Sequence, residues 1–261
     1  MTRVLAVTNQ KGGVGKTTTS VNLAAGLAQS GMRVLLADLD PQGNATMGSG
    51  IDKRVLKTSV YQVLLGLATA DSVRCKSESG GYDLIPSNRD LAGAEVELVG
   101  LEHRESRLKG ALKTILDQYD FVLLDCPPAL NMLTLNALVA AHAVMIPMQC
   151  EYYALEGLSD LVNTIKKVRQ SLNPKLDIEG LLRTMYDPRN TLAQQVSAQL
   201  QEHFGDKVYT TVIPRNVRLA EAPSFGAPAV KLDRDCKGSQ AYIELVDEVL
   251  ARNGLAAATA S

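Results

Sequence analysis

A short apolar run, residues 3–8, breaks into Gln10-Lys11-Gly12-Gly13-Val14-Gly15-Lys16-Thr17-Thr18-Thr19, and a helical pattern begins at once. Few folds accommodate that order. Glycines without Cβ let successive backbone N–H groups curl toward one point, and the helix start adds the positive end of its dipole there. Such a point holds a phosphate. Lys16 is spaced to reach the β- and γ-phosphates of a nucleotide, and the Thr17 hydroxyl to ligate Mg2+. A ligand-free glycine turn is the plainer reading, but a strand before the loop and a helix after it are what a phosphate site requires.

The same alternation runs through the chain. Further candidate strands lie at 33–38, 82–85, 121–125, 143–148, 178–185 and 208–213. Most are unbroken runs of Val, Leu, Ile and Met, as expected of strands buried on both faces of a parallel sheet. Helical patterns near 16–30, 90–117, 132–141, 155–171, 192–204 and 240–251 separate them. The spacing predicts an α/β fold, a doubly wound, mostly parallel sheet with helices on both faces. Residues 1–253 read as a single domain, with 43–81 as an irregular insertion and 254–261 as a frayed tail.

Carboxylates stand where such sheets bind ligands, at strand carboxyl ends. Asp38 and Asp40 close the second strand, and alternation puts them on one side. One can serve the Mg2+ shell while the other orients water. A pair of exposed turn aspartates is the bland alternative. Asp125 follows Phe121-Val122-Leu123-Leu124, the pattern of an aspartate that holds Mg2+ through water. Thr17, Asp38 and Asp125 are thus the candidate metal set.

Composition excludes several other classes. Lys+Arg is 27 against 28 Asp+Glu, a net charge of −1, and aromatics are 4% with no Trp, which argues against a uniformly basic or base-stacking nucleic-acid binder. No apolar run approaches the roughly 20 residues of a membrane helix. Cys75, Cys126, Cys150 and Cys236 form no Cys-x-x-Cys pair, and His103, His142 and His203 are scattered, so reduced thiols and no metal cluster are expected.

The loop departs from the common G-x-x-x-x-G-K-[ST] pattern, since Gln10 replaces the first glycine and a second lysine, Lys11, stands near its start. It resembles the deviant Walker A motif of the ParA/MinD family of P-loop ATPases. The resemblance implies that Lys11 acts in trans across a nucleotide-sandwich homodimer and that Lys11–Thr18 cradle ATP. It further implies that Asp40 positions the attacking water, so that Lys11, Lys16 and Asp40 are catalytic. Residues 144–158, 185–190 and 213–224 resemble the chromosomal, Soj-type branch, and the likeness spans 1 to about 250. By that likeness Pro214 and Asn216 lie against adenine, and Arg189 and Arg218 contact DNA phosphates.

Charge distribution adds to this. Residues 162–240 carry 12 basic and 8 acidic side chains, a net of +4, whereas 1–161 sum to −3 and 241–261 to −2. Solvated helix faces could produce the excess, but two copies in a dimer would double it. Arg215, Lys231, Arg234 and Lys237, with Lys166 and Lys167, join the candidate DNA contacts. Phosphate contacts of this kind bind without sequence preference and weaken with salt.

The resemblance implies a cytoplasmic, nucleoid-associated, Mg2+-dependent ATPase that dimerises on ATP and binds DNA nonspecifically. It would segregate chromosomes or plasmids with a ParB-like partner that stimulates hydrolysis. The alternatives are a relative that positions a protein cargo, a MinD-like cell-division regulator, and an ATP-dependent ligase. The loop begins by residue 10, which leaves no room for the helix-turn-helix that plasmid-type relatives carry before it. The Ala-rich ending lacks the basic amphipathic face of MinD-like membrane helices. No residues dedicated to a ligase acceptor stand out.

Overall fold

The computed structural model describes residues 2–255. Eight strands form one sheet: β1 (Arg3–Val7), β2 (Val34–Asp38), β3 (Cys75–Ser77), β4 (Tyr82–Ile85), β5 (Phe121–Asp125), β6 (Ala143–Met148), β7 (Asp177–Tyr186) and β8 (Val208–Pro214). Their spatial order is β3-β4-β2-β5-β1-β6-β7-β8, and every neighbouring pair is parallel except β3 with β4. From β1 the chain runs out through β2 to β3 at the edge, returns through β4 to β5 beside β1, and then crosses to β6 on the other side. The carboxyl end of β1, between β5 and β6, is therefore the switch point where such sheets open a crevice.

Alternating side chains build two cores from the same strands. Val4, Ala6, Leu35, Ala37, Val122 and Leu124 point to one face, while Leu5, Val7, Val34, Leu36, Phe121 and Leu123 point to the other. Twelve α-helices pack on the sheet among the described residues. The second face is covered by α1 (Lys16–Gln29) and by α2 (Asn44–Gly48). Helices α3 (Val60–Leu65), α4 (Ala70–Val73), α5 (Leu91–Leu98), α6 (Arg107–Leu112), α7 (Met132–Ala140), α8 (Ala154–Ser171) and α9 (Thr191–Phe204) cover the first face. The chain then returns to the second through α10 (Val217–Glu221), α11 (Ala229–Leu232) and α12 (Lys237–Arg252). This is the expected doubly wound arrangement, and all seven expected strands are present within a residue or two.

Three local features depart from expectation. The helical pattern over 90–117 is broken: α5 stops at Leu98, His103 takes a left-handed φ of 53°, and α6 restarts at Arg107. Buried Leu91, Ala94, Leu98, Leu108, Leu112 and Ile115 keep one apolar stripe, which is why periodicity alone reads as continuous. Asn136 bridges the gap, accepting from Leu108 N at 3.1 Å and donating to Arg104 O at 2.8 Å. Second, β3 pairs antiparallel at the sheet edge and is only three residues long, too short for its alternation to show. Third, Gly254 and Leu255 close α12, with Leu255 N donating to Leu250 O at 2.9 Å and Gly254 N to Ala251 O at 3.1 Å. That is the glycine-dependent helix stop. Residues 256–261 of the expected tail lie outside the described residues.

Candidate nucleotide site

The loop after β1 is held from below. Asn9 Nδ2 donates to Pro147 O at 2.8 Å while its Oδ1 accepts from Lys11 N at 3.0 Å. Thr184 Oγ1, at the end of β7, donates to Val14 O at 2.7 Å. Gly13 and Gly15 take φ of 73° and 87°, the left-handed region that favours glycine. Among the described residues, no acceptor is found for the backbone N–H groups of Gly13, Val14, Gly15 and Lys16, and α1 has no side-chain cap. Unpaired donors at a helix start fit an anion.

Lys16 is buried and its Nζ donates to Lys11 O at 3.0 Å, which folds it back over the loop. Burial draws its amine below the usual lysine range, and the nearby Asp125 charge opposes that shift. Asp125 is fully buried, with Oδ2 accepting from Thr17 Oγ1 and Oδ1 from Ser20 Oγ, both at 2.8 Å. Asp38 stands directly beside it in the β2–β5 register and is equally buried. Desolvation raises both carboxyls above the ordinary range, and each is affected by a neighbouring carboxylate. A divalent cation next to them would supply the missing positive charge. No group of three His, Cys or carboxylate side chains converges into a metal cage among the described residues. The donor set fits Mg2+, which keeps waters and takes few protein ligands beside a nucleotide's phosphates.

Asp38 has little left to offer such a cation. Its Oδ2 accepts from Thr46 N at 2.8 Å and Thr46 Oγ1 at 2.7 Å, and its Oδ1 accepts from Asp40 N at 3.1 Å. Asp40 itself is half-buried, with Oδ1 accepting from Gln42 N at 2.8 Å. Lys11 is paired within the chain, its Nζ on Glu151 Oε2, and both side chains are about half exposed.

Pro214 and Asn216, some 200 residues from the loop in sequence, line a cavity of about 180 Å3 with Gly15, Thr18 and Met185. Tyr242 of α12 also lines it and bonds Thr19 Oγ1 at 3.0 Å, tying α12 to the loop's helix. Asn216 accepts from Arg218 N at 2.9 Å and so starts α10. Thr184, Met185, Ser20, Tyr242 and the Glu151 partner of Lys11 are absent from the sequence-based set. Glu151 and Met185 fall within the segments that resemble the Soj-type branch, but nothing in those segments marks them as site residues, and the other three belong to no spaced motif. Only a strand register or a helix packing brings them in.

Six of the candidate DNA residues, Arg189, Arg215, Arg218, Lys231, Arg234 and Lys237, follow β7 or β8 in the chain and are exposed. Tyr186, Pro188, Pro214, Asp235 and Lys237 share one groove of about 430 Å3, so the three segments are neighbours. Arg189 forks onto Asp187, with Nη2–Oδ2 at 2.8 Å. Arg218 lies between Glu221 and Asp233, each at 3.2 Å. Arg215, Lys231, Arg234 and Lys237 make no ion pair among the described residues. Lys166 and Lys167 sit apart, on α8 over the first face. Among the described residues, no helix is long and apolar enough to cross a membrane.

Comparison with known proteins agrees with this geometry. The family model described as an AAA domain matches residues 2–178. The chromosome partitioning protein ParA of Caulobacter vibrioides is 54% identical over 252 residues, covering 96% of this chain and 94% of that one. The sporulation initiation inhibitor protein Soj of Bacillus subtilis is 53% identical over 251 residues, covering 96% and 99%. Cobyrinic acid a,c-diamide synthase of Mycobacterium smegmatis, solved with a bound ATP analogue and magnesium, superposes with a TM-score of 0.86. It is 41% identical, covering 97% of this chain and 96% of that one. With its glycine loop at the switch point and 53–54% identity to Soj and ParA over nearly its full length, the chain belongs to the ParA/Soj family of chromosome-partitioning P-loop ATPases.

Proposed function

We propose that this chain is a Mg2+-dependent ATPase whose ATP-bound homodimer grips DNA without sequence preference and whose turnover a ParB-like partner stimulates. The observation that carries the reading is the row of unpaired N–H donors at Gly13–Lys16, followed at once by Thr17, whose hydroxyl donates to the buried Asp125 beside Asp38. ATP, when bound, supplies the transferable phosphoryl group, and Mg2+ the charge to neutralise its oxygens.

In this reading the loop N–H groups and Lys16 hold the phosphates. Thr17 ligates the cation, and Asp125 orients Thr17 and the cation's waters. Asp40 orients the attacking water. Asp38, with both oxygens already engaged, acts by fixing the turn that carries Asp40. Pro214 and Asn216 flank the base. Lys11 leaves Glu151 and reaches the partner subunit's phosphates. An exposed ion pair contributes only about 0–1 kcal/mol, so that exchange is cheap. The same holds for Arg189 and Arg218, which trade exposed carboxylates for DNA phosphates beside Arg215, Lys231, Arg234 and Lys237. Pairing two subunits doubles this basic region, so nucleotide shifts a population toward the DNA-binding form. The place of action is the nucleoid in the cytoplasm, and the cargo a chromosome origin or plasmid.

DNA binding measured with ATP, with ADP and without nucleotide tests the proposal. Binding with ATP alone, falling steeply with salt, is expected. Equal binding in all three conditions refutes it. The Mycobacterium smegmatis neighbour, a protein named as a diamide synthase and solved with an ATP analogue, favours a second reading, ATP-driven amide formation on an acid substrate. ATP turnover that rises with DNA and partner, without any added acid, decides against that one.

A further inference from the structure

The turn that carries Asp40 is fastened from a distant strand. Ser87, just beyond the end of β4, is fully buried. Its hydroxyl donates to Asp40 O at 2.8 Å, and its backbone N donates to Thr46 Oγ1 at 2.9 Å. Thr46 in turn donates twice to Asp38, which accepts from Asp40 N. These contacts form a closed ring: Ser87 to Asp40 carbonyl, Asp40 amide to Asp38, Asp38 to Thr46, Thr46 back to Ser87. The turn is hemmed in further on. A Cβ on Gly43, whose φ is 59°, would stand 2.8 Å from Ser87 O.

The Ser87 hydroxyl is not needed to satisfy Asp40. Asp40 O already accepts from Gly43 N at 2.8 Å, inside the turn itself. Removing the hydroxyl therefore orphans no buried acceptor, and a purely structural loss should be small. What it removes is the direct tether from Ser87 to the Asp40 carbonyl, while the Ser87 N–Thr46 Oγ1 arm of the ring stays in place. We propose that Ser87 is a positioning residue for hydrolysis, holding Asp40 in register with the phosphate loop through the Asp40 backbone. The proposal rests on the reading of Asp40 as the group that orients water. Tethers of this kind matter because a misplacement of about 1 Å can lower a rate roughly 100-fold.

Ser87→Ala, Ser87→Thr and Asp40→Ala separate the possibilities. For Ser87→Ala we expect ATP affinity and melting temperature close to wild type, with turnover at saturating Mg2+-ATP down roughly tenfold. Ser87→Thr, which restores the hydroxyl, should recover most of that loss. Turnover of Ser87→Ala within about twofold of wild type overturns the proposal. So does a rate loss matched by an equal loss of ATP affinity, or an equal loss in a folded Ser87→Thr. If Ser87→Thr melts early, the split between rate and affinity in Ser87→Ala decides alone. Asp40→Ala is read separately: unchanged turnover there sinks the Asp40 role, whatever Ser87 does.

Discussion

Gly26→Ala ought to stabilise this protein by helix propensity and should instead weaken it. Gly26 lies in the interior of α1, where alanine is favoured over glycine by about 1 kcal/mol. Against that, a Cβ at position 26 would stand 2.5 Å from Val246 Cγ2 of α12. Val246 is 1% exposed. A valine in a helix has essentially one χ1 rotamer, so the methyl cannot swing aside. Overpacking of this kind costs about 1–3 kcal/mol. The clash is the larger effect, and the net loss should be about 1 kcal/mol. Val246→Ala alone should cost about 2 kcal/mol for two buried methyl groups and the space they leave. In the double variant the new methyl occupies part of that space, so the losses should fall short of their sum by 1 kcal/mol or more. Urea unfolding of the four proteins measures this cycle. If Gly26→Ala is stabilised by the full propensity term and the two changes are additive, the close α1–α12 contact is wrong. The placement of Tyr242 against Thr19 then falls with it.

Three further outcomes follow from the site. Lys16→Ala should abolish binding of a fluorescent ATP analogue, and unchanged affinity would remove the phosphate assignment. Thr184→Val deletes the hydroxyl that holds Val14 O while keeping the side chain's shape, so nucleotide affinity should fall about tenfold, the equivalent of one buried hydrogen bond. Equal affinity would mean that the loop needs no support from β7. Arg218→Glu adds a third carboxylate beside Glu221 and Asp233, and should weaken DNA binding while leaving ATP-dependent dimerisation intact. A DNA titration matching wild type would take Arg218 out of the interface.

Much of the fold is legible in the sequence because two periodicities carry it. The central strands β1, β2, β5 and β6 are nearly continuous apolar runs, and their burial on both faces is what parallel pairing demands. The phosphate loop is legible because its chemistry is local, with glycines, lysine and threonine all within eight residues. What sequence misses is whatever depends on which strands become neighbours. Asp38 beside Asp125 follows from the β2–β5 register, and Thr184 beneath the loop from the place of β7. Asp38 also shows where alternation misleads. It sits on the expected strand end, yet its oxygens are turned to Thr46 and the Asp40 amide. The break between α5 and α6 was hidden because the apolar stripe continues across it, and only Gly100 hints at a stop.

If nucleotide at this loop decides whether two copies pair, with Lys11 reaching from one to the other, sedimentation velocity of the Asp40→Ala protein with Mg2+-ATP should reveal it, since slow turnover preserves the bound state. We expect a shift from one to two subunits with ATP, none with ADP, and none when Lys11→Ala is added. A single subunit throughout, or pairing that ignores both the nucleotide and Lys11, would contradict it.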